Sequence, residues 1–376
     1  MRIAVNTRLL LTGKLEGIGW FTYQTLERIV RQHPEHEFIF FFDRPYDSAF
    51  VFAPNVTPVV VGPQARHPIL FYIWFEWRIP YLLRKYKADL FLSTDGHGSL
   101  SAKIPSCLVI HDLAFEHYPE HFKLSHRLYW RYYTPKFAQK ATRIGTVSTY
   151  SKEDISKHYR VPLEKIDVIY NGAHDEYKPL SWEEREEVKK QYAEGSEYFV
   201  FAGALHPRKN IVNLLKAFIA FKKRQGSNMK LVIVGRMAWK YEEVQEMKES
   251  MPFKDDVKWV GYMNVDELSR VIGGAYALVY ASLFEGFGIP ILEAMECNVP
   301  AIVSNTSSMP EVAGDAALLV DPTDVEDIAA KMELLFKDET LRKKLIAAAP
   351  AQVQKFTWEK SANRLWESMM KCLDKK

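Results

Sequence analysis

The four apolar residues Ala277-Leu278-Val279-Tyr280 lead through the loop Gly286-Phe287-Gly288 into a segment opening at Pro290, and this order constrains the fold more than any other part of the sequence. A short apolar run bounded by turn residues reads as a buried strand, and the glycines let a ligand come close to main-chain N–H groups. Proline at the first helical position loses no hydrogen bond, which places a helix start at Ile289 or Pro290 with its amides and positive dipole end toward the loop. Such an end attracts an anion. Glu285 before the loop and Glu293 one turn into the helix flank those amides, and carboxylates suit hydroxyl groups. An anion held between hydroxyl-binding carboxylates describes the diphosphate, ribose and hexose of a sugar nucleotide. The plainer reading is a tight strand-to-helix turn with two solvated glutamates.

The same rhythm of short apolar runs recurs, with strands read at Arg2 to Thr7, Phe38 to Phe42, Val56 to Val61, Ser106 to Ile110, Arg143 to Val147, Ile166 to Tyr170, Tyr198 to Ala202, Met229 to Val234 and Asp256 to Val260. Strands alternating with helices predict an α/β protein. At 376 residues the chain is long enough for two cores, and the boundary is expected at the linker Tyr177 to Trp182, giving domains 1–176 and 177–357. Hydrophobic content of 47% and charged content of 26% are those of a soluble globular protein. The longest apolar stretch, Ile69 to Phe75, is too short to cross a bilayer, and residues 1–5 read as a first strand, not a signal peptide. A cytoplasmic location is expected, with a peripheral position at the inner face of the membrane as the open addition. Cys107, Cys297 and Cys372 have no metal-ligand or redox spacing and are expected as reduced thiols.

Glu285, Gly286, Phe287, Gly288, Pro290, Glu293 and Ala294, followed by Pro300 and Ser308-Met309-Pro310-Glu311-Val312, resemble the E-x7-E signature of retaining family 4 glycosyltransferases. The resemblance extends over nearly the whole chain. It implies the GT-B fold: two Rossmann-like domains facing across a cleft, with the last amphipathic run, from Trp358 into 358–376, returning to complete the first domain. It also implies a donor site using Gly286, Phe287, Gly288, Ile289 and Glu293. Leu15-Glu16-Gly17-Ile18-Gly19 reads as a glycine turn directly before a helix at Trp20 to Arg31, and the matching family loop places Gly17 and Gly19 at the acceptor and diphosphate site.

His111 follows the strand at Ser106 to Ile110, where ligands of parallel sheets bind, and most histidines so placed only satisfy a backbone group. The surrounding I-H-D-L-x-F-x-x-x-P-E-x-F resembles the family pattern, whose matching histidine reaches the donor sugar. After Tyr198 to Ala202, Gly203-Ala204-Leu205-His206-Pro207-Arg208-Lys209 sets two cations at a strand-to-helix junction, which suits a diphosphate leaving group; a surface pair of cations is the plain alternative. Family members carry arginine where this chain has Ala204, so Arg208 must supply that charge or leave it unmet. Gly235 and Gly261 close two further strands, where the base would lie.

The first 175 residues hold 22 Lys and Arg against 17 Asp and Glu, and ten of the eleven histidines. Within them, Arg66 to Lys87 and Lys123 to Arg143 mix aromatic and basic residues, and Lys123, Arg127 and Arg131 recur every fourth residue. This is the composition of a helix on an anionic membrane surface, or of a core-facing aromatic stripe with an ordinary solvated face. Nucleic acid is a poor partner for a chain of net charge +3 without a recognition motif.

With no Asp-x-Asp and no His/Cys cluster at metal spacing, no metal or other cofactor is expected, and Arg208, Lys209 and helix amides must neutralise the diphosphate. His111, Arg208, Lys209 and Glu285 are the candidate catalytic residues. The resemblance implies retention of anomeric configuration by a front-face route, the departing phosphate helping to deprotonate the acceptor. H-D-L-x-F and S-N-T-S-S-M-P-E-V are similar to bacterial mannosyltransferases, which implies a GDP-linked donor, GDP-mannose, with a UDP-linked one open, and a glycan or lipid-linked acceptor. Two alternatives stand beside it: a UDP-N-acetylglucosamine 2-epimerase, which shares the architecture, and a non-catalytic sugar-nucleotide binder.

Overall fold

The computed structural model of the chain describes residues 1–236 and 242–374. The chain forms two compact units, one made of Met1–Asn171 with Thr357–Lys376 and the other of Gly172–Phe356. The first unit holds a seven-stranded sheet built from β1 (Arg2–Asn6), β2 (Glu37–Phe42), β3 (Val56–Val60), β4 (Leu90–Ser93), β5 (Ser106–Val109), β6 (Arg143–Thr146) and β7 (Ile166–Val168), in the order β3-β2-β1-β4-β5-β6-β7. The second holds a six-stranded sheet of β8 (Tyr198–Ala202), β9 (Lys230–Val234), β10 (Val257–Gly261), β11 (Ala277–Tyr280), β12 (Ala301–Ser304) and β13 (Ala317–Val320), in the order β10-β9-β8-β11-β12-β13. All of these pairings are parallel. Parallel sheets are covered on both faces, so their strands are apolar throughout rather than alternating, and β8 (Tyr-Phe-Val-Phe-Ala) is buried at every residue. Strand order reverses between β1 and β4 and between β8 and β11, and a parallel sheet receives ligands beyond the carboxyl ends of strands at such a reversal.

Both boundaries differ from the sequence expectation. The first unit stops at Asn171, ahead of residue 176, and Tyr177, which begins the expected second domain, is buried in the second unit and hydrogen-bonded to Glu293. The chain rejoins the first unit at Thr357, whose hydroxyl caps the helix Trp358–Lys371 at Lys360 N. That helix stacks Trp366 on His33 at 3.7 Å, and Ser368 donates to Asp167 at 2.8 Å. Residues 375 and 376 of the expected terminal run lie outside the described residues. The helix Trp182–Ala193 has a signal that the apolar pattern hides: Ser181 and Glu184 form a reciprocal capping box.

The expected cationic row lies at the helix Leu124–Lys140, with Lys123 and Arg131 exposed. Arg131 pairs with Glu116 at 3.0 Å, and Arg127 Nη1 donates to the Pro119 carbonyl at 3.4 Å, so these cations turn back onto the preceding segment. The side facing solvent carries Leu124, Leu128 and Tyr132, while Tyr129 and Phe137 enter the core. Beside it the helical stretch Pro68–Tyr72, Ile73–Arg78 and Ile79–Lys85 exposes Ile69, Tyr72, Trp77 and Tyr81. Each of these seven apolar side chains is at least 40% exposed. They adjoin: Tyr72 lies 6.1 Å from Trp77 and 6.2 Å from Tyr133, which is 4.9 Å from Tyr132.

Candidate active site

Beyond β8 and β9 the backbone closes on itself. Gly203 has φ of +144° and Gly235 φ of +150°, and a Cβ on Gly235 would lie 1.9 Å from the Gly203 carbonyl oxygen. Only glycine allows that approach. The chain then makes a short turn, Pro207–Lys209, ended by Asn210 at φ +60°. The Asn210 amide donates to the carbonyls of Ala281 at 2.9 Å and Pro322 at 2.6 Å, and Leu283 N donates to the Arg208 carbonyl at 2.8 Å. These bonds fasten the cationic turn to the loop that leaves β11.

Glu285 on that loop is buried between the two cations. Lys209 Nζ donates to Oε1 at 2.5 Å and to the Tyr280 hydroxyl, which donates to Oε1 at 3.0 Å. Arg208 Nη1 donates to Oε2 at 2.9 Å and to the Phe284 carbonyl at 3.0 Å. Burial alone would raise the Glu285 carboxyl, but Arg208 and then Lys209 outweigh it and hold it at about 2. Burial and the Glu285 charge together push the Tyr280 phenol well above its ordinary value, so it keeps its proton. The cluster thus sets two cations against one carboxylate and carries net positive charge at the carboxyl ends of β8 and β11. In this arrangement the Glu285 oxygens are engaged by Lys209, Tyr280 and Arg208.

The glycine loop is held from behind. Ser307 Oγ accepts from Glu285 N at 3.1 Å, and the Ser308 hydroxyl proton is shared between the carbonyls of Glu285 and Phe287, each at 2.9 Å. Gly288 at φ +101° then admits the helix Ile289–Glu296, with Pro290 in its first turn, and Phe287 is buried edge-on to Phe356 at 5.6 Å. Glu293 in this helix is also buried, with no salt-bridge partner among the described residues. Burial raises its carboxyl to about 7, opposed only by a hydrogen bond from Tyr177. The two glutamates of one motif therefore sit in opposite electrostatic states, one fully ionised and one poised near neutrality.

His111, Gly17 and Gly19 belong to the first unit. Gly17 and Gly19 lie inside the first turn of the helix Gly17–Gln32, not in a separate turn before Trp20. Gly19 is required by packing, since a Cβ there would meet the Leu9 carbonyl at 3.0 Å, whereas Gly17 opens on free space. From the same helix Phe21 meets the His111 ring edge-on at 5.0 Å, and Thr22 shares a 2.7 Å hydrogen bond with Thr94. His111 Nε2 lies 2.9 Å from the Thr94 carbonyl. A carbonyl only accepts, so Nε2 carries the proton; burial lowers the imidazole below its ordinary value, and the neutral ring keeps Nδ1 as an acceptor.

The family models agree with this arrangement. The one described as Glycosyltransferase Family 4 matches residues 15–177, and the one described as Glycosyl transferases group 1 matches residues 183–352. The O-antigen chain mannosyltransferase RfbU of Salmonella typhimurium is 31% identical over 277 residues, 73% of each chain. The chain belongs to glycosyltransferase family 4. The transferase is also 31% identical to the O-antigen chain mannosyltransferase B of Escherichia coli over 250 residues, 66% of each chain. Its fold matches that of Anabaena Alr3699/HepE, solved in complex with UDP-glucose, with a TM-score of 0.77 over 98% of this chain and 99% of the other at 17% identity. These are GT-B proteins, and the two parallel sheets of the transferase are the Rossmann-like halves of that fold.

Several residues of the transferase site escaped the sequence reading. Tyr280 ends the apolar tetrad with a polar tip at the strand terminus, a usable signal. Ser307 and Ser308 lie within the quoted motif and needed only a role. Tyr177, in a linker, carries no local mark of its contact with Glu293. Among the described residues no helix is long and apolar enough to cross a membrane.

Proposed function

We propose that this transferase moves a mannosyl residue from GDP-mannose to a hydroxyl of a glycan or lipid-linked acceptor, with retention of configuration and without a metal. The observation that carries the reading is the cluster at the β8/β11 reversal in which partly exposed Arg208 and Lys209 meet buried Glu285 and Tyr280. Glu285 holds two cations in fixed positions ahead of substrate, so that they meet the charge developing on the diphosphate without reorganising. Gly203 leaves room next to this charge, a Cβ there lying 3.8 Å from Lys209 Nζ. Arg208 accordingly supplies the cation missing at Ala204. The ionised form of Glu293 accepts from ribose hydroxyls, and His111 Nδ1 accepts from a hydroxyl of the donor sugar. No side chain is assigned as a nucleophile; the departing phosphate takes the acceptor proton on the same face, and the protein contributes position and leaving-group stabilisation. Mannose as the sugar is supported by the mannosyltransferase relatives.

A lipid-linked acceptor is supported by the exposed apolar face of the first unit. Between residues 66 and 87 the one carboxylate, Glu76, is buried and accepts from Leu100 N, Ser101 N and the Ser101 hydroxyl, and the helix Leu124–Lys140 has none. Seven exposed apolar side chains with exposed Arg66, Arg78, Arg84, Lys85 and Lys123 nearby match an anionic lipid surface. The test is incubation with a panel of GDP- and UDP-sugars, with and without lipid-linked glycan acceptors, reading the product anomer by NMR. Transfer or slow hydrolysis of GDP-mannose with an α-linked product supports the proposal. Epimer formation from UDP-N-acetylglucosamine, or nucleotide binding without turnover, overturns it.

A further inference from the structure

The sequence has no metal motif, yet the fold assembles one set of three ligands far from the Glu285 cluster in the chain. His117, at the end of the short helix Ala114–His117, meets Asp154 and His158, one turn apart on the helix Thr149–Tyr159. His117 Nε2 lies 2.9 Å from Asp154 Oδ2, and His158 Nδ1 lies 3.0 Å from Asp154 Oδ1. The two imidazoles pack edge to face at 5.0 Å, and one donor atom from each of the three residues falls within 4.8 Å of the others.

We propose that His117, Asp154 and His158 form a binding site for a borderline divalent transition-metal cation, Zn²⁺ being the natural occupant. Two imidazole nitrogens and a carboxylate oxygen are a zinc donor set, whereas magnesium and calcium prefer oxygen alone. Ligand bonds of about 2.0 to 2.2 Å to one ion require donor atoms roughly 3 to 3.5 Å apart; both histidine-to-Asp154 distances, 2.9 and 3.0 Å, are close to that, and the two imidazole donors, within 4.8 Å of each other, would draw together on the ion. Asp154 is 8% exposed, and its ion-pair partners among the described residues are these two histidines, with no lysine or arginine. A buried carboxylate met only by imidazoles is incompletely neutralised, and a dication at the shared position would complete it. Both rings are partly exposed, at 27% and 34%, which leaves an entry path and open coordination positions for water. The carboxylate is held by the packing of its helix, and His158 Nδ1, 3.1 Å from the Asp154 carbonyl, must give up that contact to ligate. The consequence is local: the segment that begins at His111 and Asp112 and ends at His117 would be tied to the helix Thr149–Tyr159 by an ion.

The experiment uses the full chain, with any affinity tag removed, stripped by chelator and titrated with Co²⁺ at pH 7.5. Visible d–d absorption of a low-symmetry nitrogen and oxygen site, saturating at one Co²⁺ per chain and displaced by Zn²⁺, is expected. Asp154→Asn and His158→Gln should each weaken binding about 10-fold or more, since loss of even an outer-shell partner costs about that much. Zn²⁺ should also raise the thermal midpoint of the parent and not of the His117→Gln/His158→Gln double variant. Absence of absorption at millimolar Co²⁺, or binding unchanged in the double variant, overturns the proposal. Folding of the variants is verified by circular dichroism and GDP binding, neither of which depends on this cluster.

Discussion

Replacing Glu293 by glutamine tests the electrostatic contrast between the two glutamates. The folded protein holds this carboxyl at about 7, against an ordinary 4.5, because it is buried with only Tyr177 beside it. Keeping it ionised above that point costs about 3 kcal/mol, at about 1.4 kcal/mol per tenfold change in proton affinity. The direction follows from proton counts. Between pH 4.5 and 7 the folded chain retains a proton that the unfolded chain has lost, so the contribution to stability is full below pH 4.5 and is lost as pH rises through 7. Glutamine does not titrate. The Glu293→Gln protein should therefore gain on its parent by about 3 kcal/mol between pH 4.5 and 8, read from urea unfolding of both proteins across that range. Nucleotide binding should move the other way. If the ionised carboxylate receives the ribose hydroxyls, parental affinity for GDP should rise about 10-fold from pH 6 to pH 8, while the variant binds weakly and without this rise. A stability difference that stays constant across the pH range would refute the assignment of the raised carboxyl to burial. A GDP affinity equal in both proteins would remove Glu293 from the ribose site and leave the stability argument standing.

Lys209→Ala should reduce kcat about 10²- to 10³-fold with the fold intact, because Arg208 and Tyr280 still meet the Glu285 charge while a donor to the leaving group is lost; steady-state kinetics near parental rates would exclude Lys209 from catalysis. Gly235→Ala should destabilise the second unit by on the order of 3 kcal/mol or more, since its Cβ would sit 1.9 Å from the Gly203 carbonyl oxygen; a thermal midpoint equal to the parent's would contradict the backbone contact. Sedimentation with phosphatidylglycerol vesicles should fall at least about 10-fold on changing Leu124, Leu128 and Tyr132 to serine, each apolar side chain contributing on the order of 1 kcal/mol when partly buried. Dimerisation through this face, detected by light scattering and abolished by the same change, would replace the lipid reading.

The alternation of apolar runs with helical segments was enough to establish a two-part α/β protein, because parallel strands are buried on both faces and stand out as continuous hydrophobic stretches. Gly288 and Pro290 marked the helix start, and the spacing of Glu285 and Glu293 marked a site, since turn chemistry and helix capping are local properties of the chain. What those residues do was decided by residues distant in sequence. Glu285 is ionised because the fold brings Arg208 and Lys209 to it, and the Glu293 carboxyl is raised because it is buried with a Tyr177 hydrogen bond in place of a cation. Two identical side chains separated by seven residues are indistinguishable until burial and neighbours set their charge. The every-fourth-residue cations beside the helix Leu124–Lys140 likewise gave the period, but not that Arg131 pairs with Glu116 and Arg127 reaches the Pro119 carbonyl, nor that Leu124, Leu128 and Tyr132 share the solvent side with them. Asp154 and His158 stand four residues apart on one helix, but the arrival of His117 beside them has no trace in sequence spacing. Periodicity and turns report on neighbours along the chain, whereas charge state, ligand sets and exposed faces depend on which elements the tertiary fold sets side by side.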